Sequence, residues 1–314
     1  MQYYIKRWLT YITLVIVLVV GSLSLSGCNL EASIPNMGAA NHTTATQSND
    51  SLSGTLDVYT LDIGQGDSHL IKVGDDYTLI DTGDVDHRDR LIALLKQYNV
   101  SSLKNVIITH PHADHMGGFY ALIKAGIPIG HVYDNGMEGS TSVYKTYLKN
   151  INKKQIPHSA LYKGAVVDLG HGATFTVYAP EEGKYLLDNK GRPDPNDNSI
   201  VGKLTFGKFS MLFTGDASRA EENRLIKEEN TKLASRVLKV GHHGSASSSQ
   251  KDFIRSVRPE LAVISVGLHN DYGHPTSQAL KRLAEEKVLV YRTDTQGTIR
   301  IHTDGNTWSV TTER

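Results

Sequence analysis

The chain is poor in cysteine. Cys28 stands alone among 314 residues, so no disulfide framework can form within the chain. It also lacks an excess of either charge: 33 basic residues meet 33 acidic ones. That balance excludes a strongly basic nucleic-acid coat and an acidic tail as the main theme. No short repeat period appears, which excludes a solenoid. Nine prolines and 28 glycines are ordinary for a globular chain. The length suits one or two domains and can bury a sizeable core without crosslinks. What the chain does have is histidine, 14 copies. Histidine is a common metal ligand and acid–base group, so the question is whether these residues cluster.

The N-terminus reads as an address. Lys6 and Arg7 precede an uncharged apolar run from Trp8 to Leu25, the pattern of a secretory signal. The run ends Leu25-Ser26-Gly27-Cys28. This resembles the lipobox of bacterial lipoproteins, in which cleavage precedes a lipid-bearing cysteine. An uncleaved spanning helix is the alternative, since the run is about long enough to cross a bilayer. Either reading puts the rest of the chain outside the cytoplasm, with a membrane as partner through the anchor. Residues 1–27 hold Lys6 and Arg7 and no acid, so without them 31 basic and 33 acidic groups remain, a net of −2. Residues 28–54 are small and polar and read as a flexible tether.

From residue 55 onward the grammar is that of a folded α/β domain, 55–314. Period-two alternation and short apolar runs predict strands over 56–63, 69–73, 77–81, 106–109, 174–178, 199–206, 209–214, 237–240, 261–266, 288–292, 299–302 and 307–311. Helical spacing predicts helices over 88–98, 118–125, 218–229, 250–257 and 277–286. Two βα-rich halves with helices outside imply a four-layer αββα sandwich. The stretch Ile127–Leu169 could form a lid, and its Tyr133, Tyr144, Tyr147 and Tyr162 could line a pocket or pack.

The histidines do cluster. Thr109-His110-Pro111-His112-Ala113-Asp114-His115 places four candidate ligands in six residues, directly after an apolar strand. Loops at the C-terminal ends of strands are where an α/β scaffold presents chemistry. His110 and His112, two apart in an extended segment, point the same way. Asp114 and His115 sit at the turn into the next helix. Three further strand ends carry matching residues: Asp216 in Thr214-Gly215-Asp216, His242 and His243 in Gly241-His242-His243-Gly244-Ser245, and His274 in Tyr272-Gly273-His274-Pro275. A carboxylate such as Asp216 can bridge two cations, and the layout is that of a two-metal site.

These motifs resemble those of metallo-β-lactamase-fold hydrolases, and His110-x-His112-x-Asp114-His115 matches their signature. The closer resemblance is to the competence-protein (ComEC-type) branch. It extends through Leu61-Asp62-Ile63-Gly64-Gln65-Gly66-Asp67-Ser68, Asp81-Thr82-Gly83, Asn196-Asp197-Asn198-Ser199 and Tyr291-Arg292-Thr293-Asp294-Thr295-Gln296-Gly297, in order. A series of membrane channel segments, as in a full DNA-uptake protein, is not found, so uptake itself is implied only if another chain supplies the pore. Many members of the broad fold have a further histidine roughly 20 residues before the bridging aspartate, and here that region reads Asn196-Asp197-Asn198. The resemblance then implies His110 and His112 on one ion, Asp114 and His115 on the other, Asp216 between them, and His242 and His274 completing the pair. His243 ranks below His242 as a ligand, with substrate contact or leaving-group protonation as its other role. Asp114 and His243 are the residues assigned to catalysis. Asp67 and Asp81 could orient ligand histidines. Asn196, Asn198 and Ser245 could touch substrate, and Lys239 a phosphate.

All these ligands are nitrogen or oxygen, which suits two Zn²⁺ or Mn²⁺ ions. A water shared by such a pair ionises near neutral pH. The expected function is therefore a lipid-anchored, extracytoplasmic, metal-dependent hydrolase acting on a phosphodiester. The substrate would be a nucleic acid or a choline-phosphate cell-wall polymer. A β-lactamase or lactonase activity is the alternative, as is a non-catalytic competence accessory that only binds.

Overall fold

The computed structural model describes residues 54–314. The expected signal segment, Cys28 and all but the last residue of the expected tether lie outside the described residues.

Two mixed sheets stack face to face. The first has eight strands, in spatial order Trp308–Thr312 (β15), Ile299–Thr303 (β14), Leu56–Thr60 (β1), His69–Val73 (β2), Asp76–Ile80 (β3), Leu103–Ile107 (β4), Ile129–Asp134 (β5) and His158–Ala160 (β6). The second has seven: Leu289–Arg292 (β13), Leu261–Ile264 (β12), Val237–Lys239 (β11), Phe209–Phe213 (β10), Val201–Phe206 (β9), Ala173–Ala179 (β8) and Val166–Gly170 (β7). Strands β3 to β6 run parallel, as do β10 to β13, while the remaining neighbours are antiparallel.

Alternation sends successive side chains to opposite faces, and here both faces are covered. Val58, Ile71, Ile80 and Ile107 point between the sheets, where they meet Phe175, Phe206, Met211, Phe213 and Val263. Their neighbours Tyr59, Leu70, Leu79 and Val106 point outward against Arg88–Gln97 (α1), Phe119–Lys124 (α3) and Ser142–Lys154 (α4). On the far side, Leu212 and Leu238 pack on Arg219–Glu229 (α5) and Lys251–Val257 (α6), and Ile264 on Ser277–Glu285 (α7). One-turn helices at Ala113–Met116 (α2) and Thr293–Gln296 (α8) complete the set. The αββα order expected from the sequence is the order found.

Ile127–Leu169 is no lid. It supplies β5, α4, β6 and most of β7, extending both sheets and the outer helical layer. Tyr147 is buried and donates to Asp134 Oδ2 (3.0 Å), so it packs. Among the described residues, no helix is long and apolar enough to cross a membrane.

Several strands end earlier than the apolar runs suggest. β4 stops at Ile107, β10 at Phe213 and β12 at Ile264. The residues just beyond each end are loops at one edge of the sandwich, and those loops hold the candidate ligands.

Candidate metal centre

The first sheet contributes the loop after β4. Asp81, just past β3, fixes that loop. Its backbone is in the left-handed region (φ 58°), which aspartate tolerates better than most residues. Its Oδ1 accepts Thr109 N–H (2.7 Å), and its Oδ2 accepts the Thr109 hydroxyl (2.8 Å) and His115 Nδ1–H (2.8 Å). Because Nδ1 of His115 donates there, Nε2 faces the centre with its lone pair. His110 is arranged in the same way. Its Nδ1 lies 3.2 Å from Thr109 Oγ1 and 3.3 Å from Ser199 Oγ, and its Nε2 lies 3.0 Å from His112 Nδ1.

The second sheet contributes Asp216, held by its N–H to Ser199 Oγ (3.1 Å). Its two oxygens face different neighbours. Oδ1 lies 3.3 Å from His115 Nε2 and 3.7 Å from His243 Nε2. Oδ2 lies 3.8 Å from His110 Nε2 and 3.6 Å from His242 Nε2. Asp114 Oδ2 is 3.3 Å from His243 Nε2 and 3.9 Å from His115 Nε2.

His242 and His243 follow β11 as two consecutive residues with left-handed backbone, φ 47° and 52°. For residues other than glycine this costs about 1–3 kcal/mol each and is met mainly at functional sites. The turn sends His243 inward, where its Nδ1 donates to Ser265 O (2.9 Å) and leaves Nε2 for the centre. His242 stays partly exposed. The sequence ranking is therefore reversed for one ligand set. Asp114, His115, Asp216 and His243 bring one ligand atom each within 4.8 Å of one another, and His242 is outside that set.

The residues fit a cation. Buried His115 Nε2, His243 Nε2 and Asp216 Oδ1 have no hydrogen-bond partner, although such atoms are nearly always paired. Electrostatics agree. Burial alone would lower the His115 and His243 imidazoles, but neighbouring carboxylates outweigh it. Asp216, Asp81 and Asp114 hold His115 well above the ordinary histidine range. Asp216, Asp67 and Asp114 raise His243 to about 10. Asp216 itself is held well below the carboxylate range, since His115 and His243 overcome its burial. The spot demands positive charge, and protons and metal ions compete for it. By contrast, burial and then the neighbouring His115 keep His110 well below its usual value. Burial, with His242 and His243 adding to it, lowers His274 to about 4. Neutral imidazoles of this kind are ready-made ligands.

Asp67 lies behind this centre, ion-paired to the buried Lys239. Its carboxylate oxygens are 3.4 Å from His243 Nδ1 and 3.9 Å from His115 Nδ1. Lys239 also donates to Gly215 O (2.9 Å). It is buried on β11 and unable to reach a phosphate, contrary to the role the sequence suggested.

Two other candidates are corrected. Asn198 is fully buried and its amide is spent on backbone, accepting Leu186 N–H (2.8 Å) and donating to Leu186 O (2.8 Å) and Asp194 O (2.7 Å). It staples the 186–198 loop and does not face the cavity. Ser245 Oγ is 3.0 Å from Ser247 Oγ and accepts Ser247 N–H (3.3 Å), so it serves its own turn. Asn196 does face the cavity, and its buried Oδ1 has no partner.

The centre opens into a cavity of about 270 Å³ lined by Gln65, His112, Ala113, Asp114, Asn196, Asp216, His242, His243, Tyr272 and His274. Gln65, Tyr272 and the supports Thr109, Ser199 and Ser265 were not assigned roles from the sequence. Their signal was position alone: Thr109, Ser265 and Tyr272 lie in or beside ligand-bearing loops, Gln65 in the loop of Asp67 and Ser199 beside Asn198.

The chain belongs to the metallo-β-lactamase superfamily, whose family model matches residues 61–268. Curated relatives include competence protein ComA of Neisseria gonorrhoeae, 31% identical over 76% of this chain and 31% of that one. ComE operon protein 3 of Bacillus subtilis is 30% identical over 79% of this chain and 33% of its own length. The chain thus spans about a third of the curated relatives it matches. Among solved structures, the metallo-β-lactamase fold protein YhfI from Bacillus subtilis aligns with a TM-score of 0.54 at 13% identity, covering 78% of this chain and 99% of its own. CmlA, a diiron β-hydroxylase from Streptomyces venezuelae, aligns at 0.52 and 13%, covering 79% and 54%. These likenesses support the fold.

Proposed function

We propose that this chain is a metal-dependent phosphodiester hydrolase with a dinuclear centre, lipid-anchored through Cys28 on the extracytoplasmic face of a membrane. In this reading residues 1–27 are a signal segment, 28–54 a tether and 55–314 the hydrolase domain. The divided Asp216 carboxylate carries the dinuclear reading. One oxygen faces His115 and His243, with Asp114 beside them; the other faces His110 and His242, with His112 next to His110 and His274 next to His242. Zn²⁺ or Mn²⁺ held by these residues would supply Lewis acidity and lower the pKa of a water.

The chain's own residues do the rest. Asp81 and Ser265 O fix the tautomers of His115 and His243. Asp67 and Lys239 brace the same histidines from behind. With His243 a ligand, its role as general acid falls away, and Asp114 is the partly exposed carboxylate facing the cavity. The names of the relatives, competence proteins and a Haemophilus influenzae recombination protein, favour a nucleic-acid phosphodiester over choline phosphate.

Metal analysis of the purified chain should find near two ions, and His112→Ala should lose at least one. With Zn²⁺ or Mn²⁺ the chain should turn over bis-p-nitrophenyl phosphate and linear DNA, and leave nitrocefin intact. Full metal loading without turnover of any phosphodiester would sink the hydrolase reading in favour of a binding module. Palmitate labelling lost in Cys28→Ala tests the anchor.

A further inference from the structure

Tyr272 is the most exposed of the large apolar and aromatic side chains among the described residues, at 68%. It nevertheless lines the cavity over the metal centre. Its ring is stacked on His274, 5.8 Å between centroids and 24° from parallel. His274 in turn lies 5.6 Å from His242. The backbone that carries the ring is held by Asn270. Asn270 Oδ1 accepts the N–H groups of both Tyr272 and His274 (3.1 Å each). Asn270 Nδ2 donates to Gly267 O (2.9 Å) and His274 O (2.7 Å). A ring on so firmly held a loop that buries so little surface is not explained by core packing. His274 covers one face of the ring, and the exposure leaves the other to solvent.

No lysine or arginine lines the cavity, so recognition beyond the centre cannot rest on phosphate-tracking cations there. Gln65 lines the same cavity; its Oε1 is taken by Gly267 N–H (3.1 Å), so the group it can offer a ligand is its NH₂ donor. A flat ring with one free face, in a cavity that also offers a hydrogen-bond donor, matches a nucleobase. Quaternary ammonium groups are gripped by boxes of several electron-rich rings, and here Tyr272 is the one phenol in a lining whose other rings are imidazoles.

We infer that Tyr272, backed by His274, is a base-stacking subsite that selects a nucleoside next to the reacting phosphodiester. The inference rests on the phosphodiester reading above. Aromatic–base stacking tolerates any base, since every base has a π-face.

The test compares two p-nitrophenyl phosphodiesters on the metal-loaded full chain, one carrying thymidine 5′-phosphate and one carrying methyl phosphate. The wild type should prefer the nucleoside ester. In Tyr272→Ala the ratio of kcat/KM values should fall about 5- to 150-fold, while Tyr272→Phe and Tyr272→Trp keep it. Equal loss on both esters, or no loss, overturns the subsite. So does a Tyr272-dependent preference for p-nitrophenylphosphorylcholine over the thymidine ester. Calorimetric binding of adenosine 5′-monophosphate against ribose 5-phosphate gives a separate readout. If neither ester is hydrolysed, the hydrolase reading fails, yet a Tyr272-dependent gain from the base still supports the subsite and its absence refutes it.

Discussion

Replacing Lys239 by methionine probes the support behind the centre. The Lys239 ammonium is about 1% exposed and pairs with the equally buried Asp67. It also holds Gly215 O at 2.9 Å, next to the Asp216 that faces both histidine sets. Burial alone would raise the Asp67 carboxyl, but Lys239 and then His243 hold it well below the usual range. Methionine keeps the length of the side chain and removes the charge. Asp67 then keeps only the His243 and His115 imidazoles, 3.4 Å and 3.9 Å away, and breaking a buried pair outright costs about 3–5 kcal/mol, the upper limit here. The double change Asp67→Leu with Lys239→Met removes both charges and should return to within about 2 kcal/mol of wild type, since apolar replacement of a whole buried pair is near neutral. Urea unfolding in chelator, read as midpoints at constant m, gives the cycle. Metal affinity should fall in the double variant, because there the Asp67 carboxylate beside His243 and His115 is gone. A single-variant loss under about 1 kcal/mol, or a double variant as unstable as the sum of the singles, would refute the account of the pair.

Three further outcomes are expected. Asp81→Asn keeps a residue that tolerates φ 58° but replaces one acceptor oxygen with a donor, and should weaken metal binding about 10- to 100-fold by chelator competition; unchanged affinity would exclude Asp81 as the orienting group. Asn198→Ala should destabilise by about 2–3 kcal/mol for its three loop hydrogen bonds and leave metal content at wild-type level; lost metal would return Asn198 to the centre. His158 Nε2 lies 2.7 Å from Asp134 Oδ2, and that hydrogen bond raises its pKa. A raised histidine stabilises fully below its unfolded value near 6.5 and loses that contribution as pH rises through the folded value. The wild type should therefore exceed His158→Gln by about 1 kcal/mol at pH 5.5, with the gap closing by pH 8.5; a gap that widens with pH contradicts the sign.

The sandwich was legible in the sequence because both sheets are covered on both faces. Runs such as Val106-Ile107-Ile108 and Val237-Leu238 then announce strands without any help from alternation. The segment from 127 to 169 was harder to read. β6 is exposed throughout, and α4 buries only Tyr147 and Ile151 among polar residues. The helix does carry a readable start, Thr141, whose Oγ1 accepts Tyr144 N–H (3.1 Å). In the site, residue types and strand ends were plain, but orientation was not. His242 and His243 are chemically identical neighbours, and two left-handed residues decide which of them turns inward. Asn196 and Asn198 differ in the same way, one facing the cavity and the other consumed by its loop.

The division of ligands between the sheets has a consequence for how long the protein lasts. His110, His112, Asp114 and His115 hang from the first sheet; Asp216, His242, His243 and His274 hang from the second. Any ion gripped by both groups acts as a rivet across the seam of the sandwich. Ligand held by the folded form alone adds about 2.7 kcal/mol at one hundred times its dissociation constant. Resistance to unfolding, and so to proteolysis, would then rise and fall with the metal supply around the protein, making the same loops that do the chemistry a gauge of whether the chain persists to do it.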